Sequence, residues 1–206
     1  MNIETDSTDD VYEEALETTE ETEKKPGFFR FLLDLLETLA LAAVLYLGIN
    51  AVSARIRVDG SSMEPTLRTG EYVIVSKLAY KLGSPRIGDV VVFRYPRNPS
   101  QEYIKRIIGL PGDQVKITRG RVYVNGEMLD EPYLAYPPSY QGNWSVSDSQ
   151  LFVLGDNRNN SSDSHNWGMV PMENVIGKAV LIYWPPANWG KINEKPHKVR
   201  AAYPYP

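Results

Sequence analysis

One stretch of this chain constrains everything around it. From Phe28 to about Ile56 the sequence is almost continuously apolar. Its cleanest part, Thr38 to Val52, reads TLALAAVLYLGINAV and carries no charge. That part alone is short for a bilayer, which takes roughly 20 apolar residues as a helix. Adding FFRFLLDLLE supplies the length. Arg30 and Asp34 are four apart and can pair on one helix face, and charges in this turn can snorkel to the headgroups. The expectation is a membrane-spanning helix within 28–56; the alternative is an amphipathic helix buried against a domain. A cleaved secretory leader fits poorly, because the run starts late, follows an acidic stretch and lacks an A-x-A site after it. Lys24, Lys25 and Arg30 lie on one side, Arg55 and Arg57 on the other, so charge orients the helix only weakly.

The net charge of −4 over 206 residues hides a division at this helix. Residues 1–25 hold ten acids against Lys24 and Lys25, a local charge of −8, and the rest of the chain carries +4. The segment 1–27 has too few apolar residues to offset its ordering entropy and reads as a disordered acidic tail. The absence of cysteine excludes disulfides, Cys-ligated zinc, iron–sulfur clusters and thiol catalysis. With two histidines, His165 and His197, little remains for a His-rich metal site. No metal and no cofactor is expected.

Beyond the helix the pattern changes to β. Short β-rich runs recur between turn signals: Tyr72–Ser76, Val90–Tyr95, Tyr103–Ile108, Val115–Thr118, Arg121–Val124, Leu151–Leu154 and Ile176–Tyr183. Arg119-Gly120 and Asn125-Gly126 read as tight turns, and Asn-Gly is a strong hairpin signal. No long amphipathic helix follows residue 57. Residues 57–184 therefore read as one β-rich domain, mainly β in class, with an antiparallel sheet or barrel-like core. Residues 130–149, rich in Pro, Tyr and Ser, read as a loop excursion. Residues 185–206 read as a Pro-rich tail.

Three segments offer chemistry. Gly60-Ser61-Ser62-Met63-Glu64-Pro65-Thr66 follows the helix directly, and its small residues allow a tight turn with an exposed hydroxyl. Composition alone makes it an ordinary turn. A serine nucleophile needs a base. His165, in Asp163-Ser164-His165-Asn166, leaves a Ser/His/Asp arrangement open. Lys105 is the other candidate, in Tyr103-Ile104-Lys105-Arg106-Ile107-Ile108. On a strand Tyr103, Lys105 and Ile107 share one face, and Ile104, Arg106 and Ile108 the other. Both faces are largely apolar, so one of the two cations is expected in an apolar environment, where desolvation makes lysine a usable base. The third segment, Leu154-Gly155-Asp156-Asn157-Arg158-Asn159-Asn160-Ser161-Ser162-Asp163-Ser164, suits a loop folded on its own hydrogen bonds. It could give a hydroxyl to orient a base and a carboxylate to Arg106. It lacks the spacing of a calcium loop and of a phosphate loop.

With these residues laid out, the chain resembles the type I signal peptidases, the membrane-anchored Ser/Lys endopeptidases. Four blocks match in order: GSSMEPTL at 60–67, GDVVVF at 88–93, YIKRIIGLPGD at 103–113 and GDNRNNSSDSHNWG at 155–168. The resemblance implies that Ser62, in S-M-x-P-T, is the nucleophile, that Lys105, in Y-I-K-R, is the general base, and that Ser161 hydrogen-bonds the lysine. It implies oxyanion or substrate contacts at Gly60, Ser62, Met63, Pro65 and Tyr103. Arg106, Asp156, Arg158 and Asp163 fall on structural polar positions. Gly60 stands where some members carry a hydroxyl, which points to an oxyanion hole of backbone N–H groups. Asn159 stands where some have Asp, and His165 stands at an often-basic position.

The implied reaction is removal of signal peptides from secretory preproteins through an acyl-enzyme, with small residues at −1 and −3 of the substrate. The implied location is the plasma membrane, crossed once, with the N-terminus cytoplasmic and the catalytic domain outside, near the lipid bilayer and the secretion translocon. Some of Trp144, Trp167, Trp184 and Trp189 could reach the interface, or serve as core. A self-cleaving regulator with a similar site, as in the SOS-response repressors, would need a DNA-binding region or a cleavable linker. Neither is visible, and no nucleic-acid partner is expected. A tethered β domain that binds peptides without cutting them is the alternative from another class.

Overall fold

The computed structural model describes residues 27–192 and the backbone of Val199–Arg200. The acidic segment expected to be disordered, His197 and most of the C-terminal tail lie outside the described residues.

Helix α1, Phe28–Val52, forms where the sequence is apolar all round and has no buried residue along its 25 positions. At 1.5 Å per residue it is about 37 Å long, more than the roughly 30 Å of a hydrocarbon core. Leu36, Leu41, Val44 and Leu47 are all exposed along it. A stripe of that size is stable only in an apolar surrounding. The helix stops at Val52, short of the expected Ile56, because Ser53–Arg57 pair as a strand. Its final carbonyls have partners: Lys77 N–H donates to Val52 O at 2.9 Å, Lys77 Nζ to Asn50 O at 3.0 Å, and Ser53 Oγ to Ile49 O at 2.9 Å. These satisfy acceptors that a helix end otherwise leaves bare. The last turn, from Gly48, belongs to the same compact unit as the β domain.

The strands are β1 (Ser53–Arg57), β2 (Tyr72–Ser76), β3 (Val90–Tyr95), β4 (Asn98–Gly109), β5 (Gln114–Thr118), β6 (Arg121–Val124), β7 (Glu127–Leu129), β8 (Gly142–Ser145), β9 (Gln150–Leu154), β10 (Val170–Pro171), β11 (Val175–Trp184), β12 (Gly190–Lys191) and β13 (Val199–Arg200). They build two antiparallel sheets. The larger runs β1-β2-β11-β3-β4-β9-β10, with β12 paired to β11; the smaller runs β13-β7-β6-β5-β8. Alternation explains the smaller sheet: Val115 and Ile117 point inward opposite Val124 and Val122. Asn125 and Gly126 close the hairpin between β6 and β7 at φ 55 and 85, the double left-handed turn that Asn-Gly supplies with least strain.

Two segments are more ordered than their composition suggests. The excursion 130–149 contains β8, which pairs with β5, and Trp144 packs on Phe152. In the Pro-rich tail, β12 pairs with β11, Ile192 is buried in the core and β13 pairs with β7.

The core cluster that positions the site joins Val58, Met63, Leu67, Val73, Val90 and Val92. Met63 and Leu67 are fully buried, so the loop carrying Ser62 is pinned from below by two apolar side chains. Each is worth about 1.5–3 kcal/mol of burial.

Candidate active site

Ser62 sits in the turn-rich loop between β1 and β2, three residues after Asp59 and just before the buried Met63. The loop opens at Gly60, with φ +92. Asn157 holds it from across the chain. The Asn157 N–H donates to Ser62 O at 3.0 Å, and its Nδ2 donates to Ser61 O at 3.2 Å. Asn160 Nδ2 donates to Ser61 Oγ at 3.0 Å. Ser61 is thereby engaged as a structural partner, and the Ser62 hydroxyl faces Lys105.

Lys105 lies on β4, opposite Val91 of β3. Its Nζ donates to Ser62 Oγ at 2.7 Å and to Ile104 O at 3.0 Å. Only 5% of the residue is exposed. Burial lowers its pKa from 10.5 to about 8, against the opposing pull of Asp163 and then Asp156. Among the described residues the amine has no ion-pair partner.

Both neighbouring cations are in fact buried, whereas the strand pattern called for one. Arg106 is 0% exposed. The difference is pairing. Arg106 Nε and Nη2 donate to the two oxygens of Asp156 at 2.7 and 2.5 Å, and Nη1 donates to Gly88 O at 2.8 Å. Its guanidinium lies 3.8 Å over the Tyr133 ring. Asp156 also accepts from Thr66 Oγ1 at 2.5 Å, which ties the serine loop to the arginine. Arg106 thus has a bidentate carboxylate partner, while the Lys105 amine, bonded to a hydroxyl and a carbonyl, can lose its proton.

The other polar positions form the frame. Asp163 caps the short helix α2, Ser164–Trp167, accepts the Gly155 N–H at 2.9 Å and lies 2.6 Å from His165 Nδ1. His165 stacks on Tyr140 at 3.9 Å. Its ring thus serves Asp163 and the excursion, and Ser62 is served by Lys105. Arg158 is buried and paired with Glu131 of the excursion; its Nε donates to Gly155 O at 3.1 Å. That pairing holds the Arg158 pKa above its ordinary value despite burial. Asn157 and Glu131 did not emerge from the sequence reading. Asn157 lies inside a quoted block, but Glu131 carries no local signal.

Several expected contacts fall elsewhere. Ser161 Oγ is buried and has no hydrogen-bond partner among the described residues; the lysine's second bond goes to Ile104 O. The Met63 side chain belongs to the core and does not line the cleft. Pro65 lines a separate cavity with Arg68 and Tyr136. Tyr103 does line the cleft of about 530 Å³ that contains Ser62 and Lys105, with Ile56, Val92 and Ile104 as further walls. Tyr103 is itself stacked on Tyr95 at 4.6 Å. At Gly60, whose φ of +92 suits the turn, no described residue lies within 4 Å of where a Cβ would stand. Among the described residues no cluster of His, Cys, Asp and Glu fits a metal ion.

A serine hydroxyl held 2.7 Å from a buried lysine amine in a β domain is an arrangement compatible with a serine hydrolase. Residues 32–184 match the family described as signal peptidase, peptidase S26. The chain belongs to this family and is a serine endopeptidase. It is 44% identical over 185 residues to the probable signal peptidase I-2 of Synechocystis, covering 86% of this chain and 84% of that one. It is 44% identical over 174 residues to signal peptidase I of Leptolyngbya laminosa, covering 80% and 86%. A crystal structure of a signal peptidase I from Enterococcus faecalis is 33% identical, with a TM-score of 0.44 over 47% of this chain and 97% of that one.

Proposed function

We propose that this protein removes N-terminal signal peptides from secretory preproteins, with Ser62 as nucleophile and Lys105 as general base. The observation that carries the assignment of roles is the 2.7 Å bond from Lys105 Nζ to Ser62 Oγ, on an amine whose pKa burial lowers to about 8. Neutral Lys105 takes the Ser62 proton as the oxygen attacks the scissile carbonyl. Lysine then protonates the leaving amine, and water activated by the same amine releases the acyl group. Backbone N–H groups of the Ser62 loop stabilise the oxyanion. The substrate lies extended along the cleft, with small side chains at −1 and −3.

In this reading α1 anchors the domain in the membrane, with the N-terminal segment cytoplasmic and the cleft outside, close to the bilayer and the translocon. Only nine residues separate Val52 from Ser62. Anchoring therefore raises the local concentration of substrates whose signal helices share the bilayer. The exposed Trp184 and Trp189 are suited to the headgroup layer.

Cleavage of a model preprotein by the full chain in detergent tests the roles. Ser62→Ala and Lys105→Ala should each abolish cleavage, and His165→Ala should retain most of it. Activity surviving in Lys105→Ala together with loss in His165→Ala would reverse the assignment. Digestion of the N-terminal segment by protease outside sealed, right-side-out vesicles would refute the orientation.

A further inference from the structure

A second cleft, of about 360 Å³, lies on the β domain and plays no part in the chemistry above. Lys77, Lys81 and Arg94 line it, over an apolar floor of Met172, Val175 and Ile176. No acid lines it. Asp89, bonded to the lining Tyr80, accepts from Lys178 Nζ at 2.5 Å and from Tyr80 Oη at 3.0 Å. Glu102 stands opposite Arg94 in the β3–β4 register, but no ion pair among the described residues involves Lys77, Lys81 or Arg94.

The position of the cleft matters as much as its charge. Lys77 holds the last turn of α1 through Asn50 O and Val52 O. The final turn of a membrane-spanning helix lies at the headgroup layer. The cleft shares Lys77 with that turn and so lies beside it. Three cations beside an apolar floor, without a carboxylate partner among the described residues and with Lys77 also bonded to Asn50 O, match an anionic group joined to hydrocarbon.

From this we infer that the Lys77–Lys81–Arg94 cleft binds the phosphate of an anionic phospholipid headgroup, with the acyl chains leaving over Met172, Val175 and Ile176. The inference rests on reading α1 as a membrane span. It is independent of the roles of Ser62 and Lys105.

The test uses the full chain in a neutral detergent, with lipid retention read by native mass spectrometry. Phosphatidylglycerol should be retained in preference to phosphatidylcholine. The pair Lys81→Ser and Arg94→Ser should weaken its retention about 25-fold, at about fivefold for each cation near an anionic surface. Lys77 is left in place because it caps the helix. Lys81→Gln alone, at an exposed position, should weaken retention about fivefold and keeps the test decisive if the double variant misfolds. Equal retention in the variants, or equal retention of the two lipids, overturns the inference. Displacement of phosphatidylglycerol by millimolar inorganic phosphate also overturns it, since the site would then serve a free anion. Carbonate extraction separates failure of the anchor: wild type and variants all stay in the membrane pellet if α1 spans, whatever their lipid selectivity.

Discussion

The pH dependence of cleavage is the most discriminating consequence of the site. A base must be neutral to act, and the Lys105 pKa of about 8 makes roughly 10% of the enzyme competent at pH 7 and roughly 90% at pH 9. At the ordinary 10.5 only about 0.03% would be neutral at pH 7, so burial supplies about 300-fold in competent enzyme. The expected kcat/KM on a preprotein rises about tenfold per pH unit below 7, flattens above 9, and differs about 90-fold between pH 6 and pH 9. The perturbation that separates this lysine from other groups is Asp163→Asn. Asn keeps an acceptor for the Gly155 N–H but removes the charge that raises the Lys105 pKa most. The acid limb should move to lower pH. The assay is initial-rate cleavage of a fluorogenic signal-peptide substrate across pH 5.5–9.5. A limb near 6.5 that disappears in His165→Ala, or a limb that stays put in Asp163→Asn, would show that Lys105 is not the titrating base.

Other consequences concern stability and positioning. A lysine whose pKa is lower folded than unfolded destabilises the fold fully below about pH 8, and stability rises as pH climbs towards 10.5, because only the unfolded state then binds the proton. Lys105→Met should therefore be inactive yet more stable at pH 7, by up to about 3 kcal/mol in urea unfolding; a gain that does not shrink by pH 10.5 would show another cause. Gly155→Ala would put a Cβ 2.2 Å from Ser161 Oγ and 2.4 Å from Ser62 O. The displaced serine loop should lower kcat by on the order of 100-fold with an unchanged circular dichroism spectrum, and near wild-type activity would count against a rigid loop. Glu131→Ala strands the buried Arg158 without its carboxylate. The expected loss is about 3–5 kcal/mol, seen as a Tm lower by roughly 6–20 °C, and an unchanged Tm would mean water replaces the pair.

Much of this architecture is legible in the chain. The strands Tyr72–Ser76, Val90–Tyr95 and Arg121–Val124 have the same limits in sequence pattern and structure, because alternation and turn residues are local signals. Lys105 and Ser62 stand out through the motifs around them. Strand β8 was not legible, since Gly142-Asn143-Trp144-Ser145 has no apolar alternation and is held by pairing to β5. The buried role of Met63 was not legible either. A methionine beside a nucleophile reads as a substrate contact until the core beneath it is seen.

By itself the sequence determined an apolar helix ahead of a β domain, and a serine and a lysine in motifs 43 residues apart. Those are facts of composition, period and order. The different surroundings of two neighbouring cations, Lys105 and Arg106, both buried on one strand, came from the tertiary fold alone. Folding brings Asp156 against Arg106 as a bidentate partner and leaves the lysine amine with a hydroxyl and a carbonyl. Desolvation without a contacting carboxylate is what lowers a pKa, and that difference exists only once strands distant in sequence have met.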